Sequence, residues 1–202
     1  MPIPTLRTLL AVTLLAAAGV ASAAPEVGKP APAFSGTDTS GKTWSLEGLK
    51  GEPVILEWTN HDCPYVKKHY GAGNMQALQR EATDAGYVWL SVISSAPGKQ
   101  GNVTPAEADR LTASREAAPS AVLLDPDGTI GRAYGARTTP HLFIIDEQGT
   151  LVYMGGIDDR ATTDPADIDG AENYVRLAMA DRAAGRSLSA PVTRPYGCSV
   201  KY

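Results

Sequence analysis

Apolar runs that alternate with helical stretches constrain the fold of this chain more than any other feature of its sequence. Residues 54–58 (VILEW) and 88–93 (VWLSVI) predict two buried strands, and residues 63–85 predict an interrupted helical stretch between them. Asn74 is expected to cap the second half of that stretch. Strands joined by helices through right-handed crossovers place helices on both faces of a sheet, so the chain is predicted to be α/β.

The same alternation continues towards the C-terminus. The expected elements are a helix that begins after the cap residue Thr104 and runs to residue 117, a strand at residues 121–124, a hairpin of residues 142–145 and 151–154, and a helix at residues 171–184. Because a hairpin adds antiparallel strands, the central sheet is predicted to be mixed. Residues 191–202 lack helical periodicity and are expected to form an extended tail that releases at little packing cost.

Length, composition and charge narrow the possible functions. The 202 residues suffice for one domain, and 43% hydrophobic with 20% charged residues is typical of a globular protein. The net charge is -4, and acidic and basic residues are mixed along the chain. Because binding to phosphates needs clustered positive charge, this distribution argues against nucleic acid and against an anionic membrane surface as partners.

The first 23 residues are predicted to be a signal peptide. Arg7 precedes an apolar run at residues 9–20, and the small residues 21–23 (ASA) follow that run. The run is shorter than the roughly 20 residues that a membrane-spanning helix needs. We therefore expect export, to the periplasm if the source is a bacterium or otherwise by secretion, with no stable membrane anchor after cleavage. The mature chain would comprise a domain at residues 24–190 and the tail at residues 191–202.

The chain contains two cysteines, Cys63 and Cys198, so only one intramolecular disulfide is possible. In an oxidising compartment such a pair favours a structural disulfide. A domain of this size, however, buries enough apolar surface to fold without one. The number of cysteines alone therefore leaves both a structural and a redox role open.

Cys63 is predicted to be a nucleophile because of its position. It follows the first buried strand and begins a helix, which is where open α/β sheets place their ligand crevice. Free backbone N–H groups and the positive end of the helix dipole stabilise a thiolate there. Pro64 fits the first turn of that helix because its missing N–H costs no hydrogen bond.

Three segments of the sequence carry a more specific signal. They are residues 58–65 (WTNHDCPY), 137–146 (RTTPHLFIID) and 197–202 (GCSVKY). Together they resemble the peroxiredoxin-like branch of the thioredoxin superfamily, of the alkyl hydroperoxide reductase and thiol-specific antioxidant type. The resemblance implies a thioredoxin-like fold with an N-terminal hairpin, a redox cysteine at position 63 and a cis-proline at position 140.

The resemblance also implies how substrate would bind. A cis bond before Pro140 would expose the backbone of Thr139 beside the redox cysteine, so that an extended substrate could pair with it. Thr139, Pro140 and Pro64 are accordingly expected to bind substrate rather than to react.

The sequence also departs from better-known members of this superfamily. Val66 stands where a Cys-x-x-Cys motif has its second cysteine, so disulfide exchange must use Cys198 or an external thiol. Asn60 and Leu56 stand where a typical peroxiredoxin has threonine or serine and proline, which argues against peroxidase chemistry. Lys67 stands where a copper chaperone has a second cysteine, and no metal or cofactor is predicted.

Three polar residues near the motifs are assigned possible supporting roles. His61 is two residues from Cys63, and its imidazolium form would stabilise a thiolate. Asn60 and His141, which follows the expected cis-proline, are the other two. His69 adjoins two lysines and is expected on a solvated helix face without a role.

These features predict an exported thiol–disulfide oxidoreductase in which Cys63 attacks and Cys198 resolves. The expected substrates are protein or small-molecule disulfides or peroxides, and turnover needs an external reductant. A thiol peroxidase that passes through a sulfenic acid is one alternative. The other alternative is a non-catalytic metal-binding or partner-binding protein with a structural Cys63–Cys198 disulfide.

Overall fold

The computed structural model describes residues 24–202, so the signal peptide predicted for residues 1–23 lies outside the described residues. The strands of the described range are β1 (Ser35–Asp38), β2 (Thr43–Ser45), β3 (Val54–Trp58), β4 (Val88–Ile93), β5 (Ala121–Leu124), β6 (Thr138–Thr139), β7 (His141–Ile145), β8 (Leu151–Gly155) and β9 (Cys198–Ser199). The helices are α1 (Pro64–Gly71), α2 (Asn74–Asp84), α3 (Pro105–Ser114), α4 (Thr129–Ala133) and α5 (Tyr174–Ala183).

Seven of these strands form one mixed sheet in the order β2-β1-β5-β4-β3-β7-β8. Strands β3, β4 and β5 are parallel neighbours, and β7 runs antiparallel to β3 and to β8. On the other side of the sheet, β1 pairs antiparallel with both β5 and β2. This topology confirms the predicted α/β fold with a mixed sheet, and β1 and β2 form the N-terminal hairpin that the resemblance implied.

Alternating side chains of the central strands divide the core between the two faces of the sheet. Trp58 of β3 packs against Phe143 of β7 on one face, which α4 covers with Ile130. Ile55 of β3 belongs to the core of the other face, which α1, α2 and α5 cover. The prediction of helices on both faces is thereby confirmed. None of the helices within residues 24–202 has the length and hydropathy that crossing a bilayer requires.

Two helix ends differ from the prediction for identifiable reasons. Thr104 caps α3 as expected, but α3 ends at Ser114, three residues earlier than predicted. Glu116 lies just beyond this end and has a φ of 51°, a left-handed conformation in which a right-handed helix cannot continue. Helix α5 begins at Tyr174, three residues later than predicted, because the side chain of Asn173 accepts two N–H groups of its first turn.

Two further details of the helices differ from expectation. The prediction that Asn74 caps α2 is wrong, because Gly73 holds the cap position with a φ of 73°. Asn74 is instead the first helical residue, and its amide donates to the imidazole of His69 at 2.9 Å. Helix α4 is not predicted from the sequence, because its five residues (TIGRA) include a glycine and are too few for a periodic pattern.

Helix α1 is more deeply buried than its sequence indicates. The expectation that His69 lies on a solvated face is wrong, because its imidazole has no exposed surface. Lys68 is also buried, and its Nζ donates to the backbone carbonyl of Arg160 at 2.9 Å. Polar groups of the protein therefore replace water as the hydrogen-bond partners of His69 and Lys68.

Strand β3 contains a buried carboxylate, Glu57. Four side chains donate hydrogen bonds to it: Tyr70 at 2.9 Å, Gln79 at 3.1 Å, Trp89 at 2.9 Å and Ser91 at 2.8 Å. These donors satisfy a group that would otherwise be costly to bury. They also tie α1, α2 and β4 to the strand that leads to Cys63.

Candidate active site

Cys63 lies at the end of a short loop between β3 and α1, where it occupies the N-terminal cap position of the helix. Its N–H donates to the carbonyl of Asn60 at 3.1 Å. The Asn60 side chain holds the loop further, accepting from the N–H of Asp62 at 2.9 Å and donating to the carbonyl of Gln100 at 3.3 Å. Pro64 follows as the first helical residue and is exposed at the rim of the site.

The second part of the site is strand β6, which precedes β7. The peptide bond between Thr139 and Pro140 is cis, as the resemblance implied. The Cys63 thiol donates to the backbone carbonyl of Thr139 at 3.1 Å. Thr139 is itself 3% exposed, and its hydroxyl has no hydrogen-bond partner among the described residues.

The tail supplies the third part of the site. Strand β9 pairs antiparallel with β6, so that Cys198 lies opposite Thr139 and Ser199 lies opposite Thr138. Both cysteines are free thiols, and Cys198 packs against the same buried cluster as Cys63. Residues separated by most of the chain are therefore brought together at one edge of the sheet.

Burial and hydrogen bonding act on the two thiols in opposite ways. Burial alone would raise the pKa of Cys63, but hydrogen bonding to the side chain of Cys198 and to the N–H of Val66 opposes burial, and the net effect is a lowered pKa. The pKa of Cys198 is raised by its burial and by the neighbouring Cys63. Cys63 is thus the thiol that ionises first, and Cys198 keeps its proton.

The structure does not bring the two candidate histidines to the Cys63 thiol. His61 lies 3.3 Å from the carboxylate of Asp62 and, with Thr59, lines a cavity of about 10 Å³ under α3. His141 lies on the opposite face of the sheet, where its ring packs 4.4 Å from that of Phe143. Burial, with a further contribution from Arg137, lowers the pKa of His141 to about 3, so it is neutral at pH 7.

A buried hydrogen-bonded chain that the sequence does not reveal connects α1 to the tail. Asn74 donates to Nδ1 of His69, so the ring proton lies on Nε2, which donates to the hydroxyl of Tyr196 at 3.2 Å. Tyr196 in turn donates to the carboxylate of Asp158. The ring of Tyr196 also packs edge-on against Tyr65 with 5.7 Å between centroids. This chain fixes the tail two residues before Cys198.

Other contacts hold the tail on both sides of Cys198. Before it, the Thr193 hydroxyl accepts the N–H of Gly156 at 3.0 Å. After it, the N–H of Val200 donates to the carbonyl of Arg137 at 3.0 Å, and the hydroxyl of Tyr202 donates to the carbonyl of Ala136 at 2.8 Å. The expectation that the tail releases at little packing cost is therefore wrong.

Within residues 24–202 no group of three or more histidine, cysteine, aspartate or glutamate side chains is arranged to hold a metal ion. The polar groups next to Cys63 are instead hydrogen-bond donors and acceptors supplied by Thr139, Val66 and Cys198. This arrangement suits sulfur chemistry, in which a thiolate forms and a second thiol stands beside it.

Comparisons with known proteins agree with this geometry. The AhpC/TSA family matches residues 27–154 of the chain. An uncharacterized conserved protein from Geobacillus kaustophilus has a similar structure, with 22% identity, a TM-score of 0.74 and coverage of 88% of this chain and 92% of that one. A hypothetical protein from Sinorhizobium meliloti 1021 also has 22% identity, with a TM-score of 0.69 and coverage of 90% and 97%.

A third similar structure is a putative thiol:disulfide interchange protein DsbE from Chlorobium tepidum, with 22% identity, a TM-score of 0.53 and coverage of 65% of this chain and 85% of that one. At these identities the three structures establish a shared fold. No curated protein matches the sequence. The family match, however, spans more than half of the chain and includes Cys63 and the Thr139–Pro140 pair. The chain therefore belongs to the AhpC/TSA family, within the peroxiredoxin-like branch of the thioredoxin superfamily.

Proposed function

We propose that the protein is an exported thiol–disulfide oxidoreductase in which Cys63 is the nucleophile and Cys198 resolves the intermediate. The observation that carries this proposal is the position of Cys198 opposite Thr139, whose backbone carbonyl accepts from the Cys63 thiol, with the pKa of Cys63 lowered and that of Cys198 raised. An activated thiolate and a protonated neighbour are the two groups that a two-step exchange needs. Export is proposed from the apolar run and the small residues within positions 1–23.

The proposed reaction has two exchange steps. The Cys63 thiolate attacks one sulfur of a substrate disulfide, forms a mixed disulfide and expels the other sulfur as a thiolate, which takes up a proton. Cys198 then loses its proton and attacks the Cys63 sulfur, forming the Cys63–Cys198 disulfide and releasing the second substrate thiol. Two thiols of the protein are oxidised and one substrate disulfide is reduced. An external dithiol reductant regenerates the protein.

Peroxidase chemistry is a second candidate, favoured by the complete burial of Cys63. A small peroxide would transfer one oxygen to the thiolate, release an alcohol or water and leave a sulfenic acid. Cys198 would then condense with that sulfenic acid, forming the same disulfide and one water molecule. Asn60 and Leu56 occupy the positions where a typical peroxiredoxin has other residues, so we place this candidate second.

Substitution of each cysteine tests the proposal. Cys63→Ser is expected to abolish reduction of a model disulfide, because the attacking sulfur is lost. Cys198→Ser is expected to retain the first step and to accumulate a mixed disulfide on Cys63, detectable by intact mass, with partial loss of turnover. Consumption of hydrogen peroxide is measured in parallel with both variants.

The outcomes separate the candidates. Rapid peroxide turnover with slow disulfide reduction would promote the peroxidase. Full disulfide reductase activity in Cys63→Ser would contradict the proposal. A parent protein that reduces neither substrate, together with a lower thermal stability in both variants, would support the non-catalytic alternative with its structural disulfide.

A further inference from the structure

The C-terminal tail occupies the strand edge next to Cys63. Strand β9 forms antiparallel pairs with both residues of β6, Thr138 with Ser199 and Thr139 with Cys198. Thr139 is also the residue expected to pair with an extended substrate. One strand edge accepts one partner strand, so a docked tail and an extended polypeptide cannot occupy it together.

The tail approaches this edge too closely to leave space for a second chain. Gly197 has a φ of 134°, and a Cβ atom on it would overlap the carbonyl oxygen of Thr139. Beneath the tail, Cys63 has no exposed surface. The docked tail thus covers both the nucleophile and the backbone beside it.

The contacts that hold the tail flank this covered position. On the N-terminal side of Cys198, Tyr196 forms hydrogen bonds with Asp158 and His69. On the C-terminal side, the backbone N–H of Val200 donates a hydrogen bond to the carbonyl of Arg137. The family match ends at residue 154, so this tail is an addition to the matched region.

We propose that the tail is an intramolecular gate that sets the substrate class of the site. While docked, it excludes extended polypeptide disulfides, which must pair with Thr139. Small oxidants, such as a low-molecular-weight disulfide or a peroxide, need no pairing with Thr139 and therefore react with Cys63 without β9 leaving β6. A polypeptide substrate reacts only from the state in which β9 has left β6. The inference rests on the proposed function, since it takes Cys63 to be the reacting sulfur.

The test isolates the first exchange step in full-length protein. All variants carry Cys198→Ser, which keeps the tail but stops the reaction at the mixed disulfide between Cys63 and the probe. To this background we add Gly197→Ala, whose methyl group cannot coexist with the docked strand. The matched control is Gly170→Ala, because a Cβ at Gly170 meets nothing within 4 Å.

Two probes with the same leaving group are compared. One is the mixed disulfide of cysteine with glutathione, and the other is the mixed disulfide of an eight-residue extended peptide with glutathione. The rate at which Cys63 gains cysteine or the peptide, with glutathione as the leaving thiol, is measured by intact mass, which separates these products from glutathionylated protein. In the Cys198→Ser background the peptide is expected to react at least about tenfold more slowly than the small probe. The reason is that the peptide reacts only with the fraction of protein molecules in which β9 has left β6.

The gate predicts a selective effect of Gly197→Ala. The peptide rate should rise at least about tenfold while the small-probe rate changes less than about threefold, and Gly170→Ala should change neither. An unchanged ratio of the two rates, with a reactive Cys63, would overturn the gate and leave the proposed function standing. A Cys63 that reacts with neither probe in any variant would overturn the proposed function and the gate with it.

Folding of each variant is checked by thermal denaturation. Should Gly197→Ala fail to fold, Val200→Pro takes its place, because it removes the N–H that bonds to the carbonyl of Arg137. The same rise in the peptide rate is expected for that variant, and the same unchanged ratio would overturn the gate.

Discussion

At Cys63, burial and hydrogen bonding act on ionisation in opposite directions, and hydrogen bonding prevails. The partners that lower its pKa come from two distant parts of the chain: Val66 of α1 and Cys198 of the tail. A thiolate stabilised in this way depends on the tail being in place. The reactivity of one residue is therefore coupled to the position of a segment more than a hundred residues away in sequence.

We predict that Cys63 is alkylated with a lower pH midpoint than Cys198. The reduced protein is treated with iodoacetamide across a pH series, and the labelling of each cysteine is followed by peptide mass spectrometry. The midpoint is compared rather than the rate, because Cys63 is more buried than Cys198. In Cys198→Ala the midpoint of Cys63 should rise, since the side chain that hydrogen-bonds to its thiolate is removed. A lower midpoint for Cys198 would contradict the assignment of the nucleophile.

Single residues also mark how far the sequence could predict the site. Cys63 was predictable from a local pattern, a strand end followed by a helix, whereas the Thr139–Pro140 pair was predictable only through the resemblance of residues 137–146 to a known family. The role of Glu57 was not predictable. Its donors lie 13 to 34 positions along the chain, on α1, α2 and β4, and only the folded sheet brings them together.

At the scale of elements, α1 shows why a sequence pattern can mislead. Two adjacent lysines suggest a solvated face, yet both ring nitrogens of His69 have partners in the fold, Asn74 on one side and Tyr196 on the other. A histidine can be buried when both nitrogens are bonded and the ring is neutral. Burial, opposed by Asp158 and assisted by Lys68, lowers the pKa of His69 to about 4.

This lowered pKa predicts a loss of stability on acidification. Above pH 7 His69 is neutral in both the folded and the unfolded protein. Between about pH 6.5 and pH 4 the unfolded chain binds a proton that the folded protein does not, so the free energy of unfolding falls as the pH falls. The loss due to His69 alone is expected to approach about 3 kcal/mol by pH 4.

Denaturant unfolding at pH 7, 6 and 5 measures this effect. His69→Gln should be less stable than the parent at pH 7 but should lose less stability between pH 7 and pH 5. Lys67→Gln, an exposed substitution on the same helix, is the control and should follow the parent. An identical pH dependence for the parent and His69→Gln would show that His69 is not buried in its neutral form.

Strands and helices also differed in how well their ends were predicted. The three parallel strands have the predicted boundaries, because each is an apolar run that ends at polar or turn-forming residues. Helix ends were less predictable, since they depend on side-chain caps such as Asn173 and on backbone conformations such as that of Glu116. The course of the tail was the least predictable, because its contacts are made almost entirely with distant residues.

At the scale of the whole molecule, the tail runs along one edge of the sheet. It begins beside β8, where the N–H of Met154 donates to the carbonyl of Pro191 at 3.1 Å. It then crosses β6 and ends beside the loop after β4, where the N–H of Ala96 donates to the carbonyl of Lys201 at 2.8 Å. These contacts hold the tail with both cysteines as free thiols.

Oxidation is therefore predicted to raise stability without creating the fold. A bond between Cys63 and Cys198 closes a loop of 198 − 63 = 135 residues, for which the chain-entropy model allows about 5 kcal/mol. For a chain of this size such a gain raises Tm by about 10 °C or more. The reduced protein should nevertheless remain folded at 25 °C, because the pairing of β9 with β6 already holds the tail in place. Thermal denaturation of both redox forms measures the difference.

Cys198→Ser is the control for that measurement, since its Tm should not respond to oxidant. Equilibration with a glutathione buffer then decides between a redox and a structural role. Catalytic disulfides have potentials above about −300 mV, whereas structural ones in secreted proteins lie below that value. Docking of the tail favours the bond by keeping Cys198 in place, but the stabilised thiolate of Cys63 favours the reduced form. We expect the second effect to keep the potential above that boundary, and unfolding on reduction would instead assign the bond a structural role.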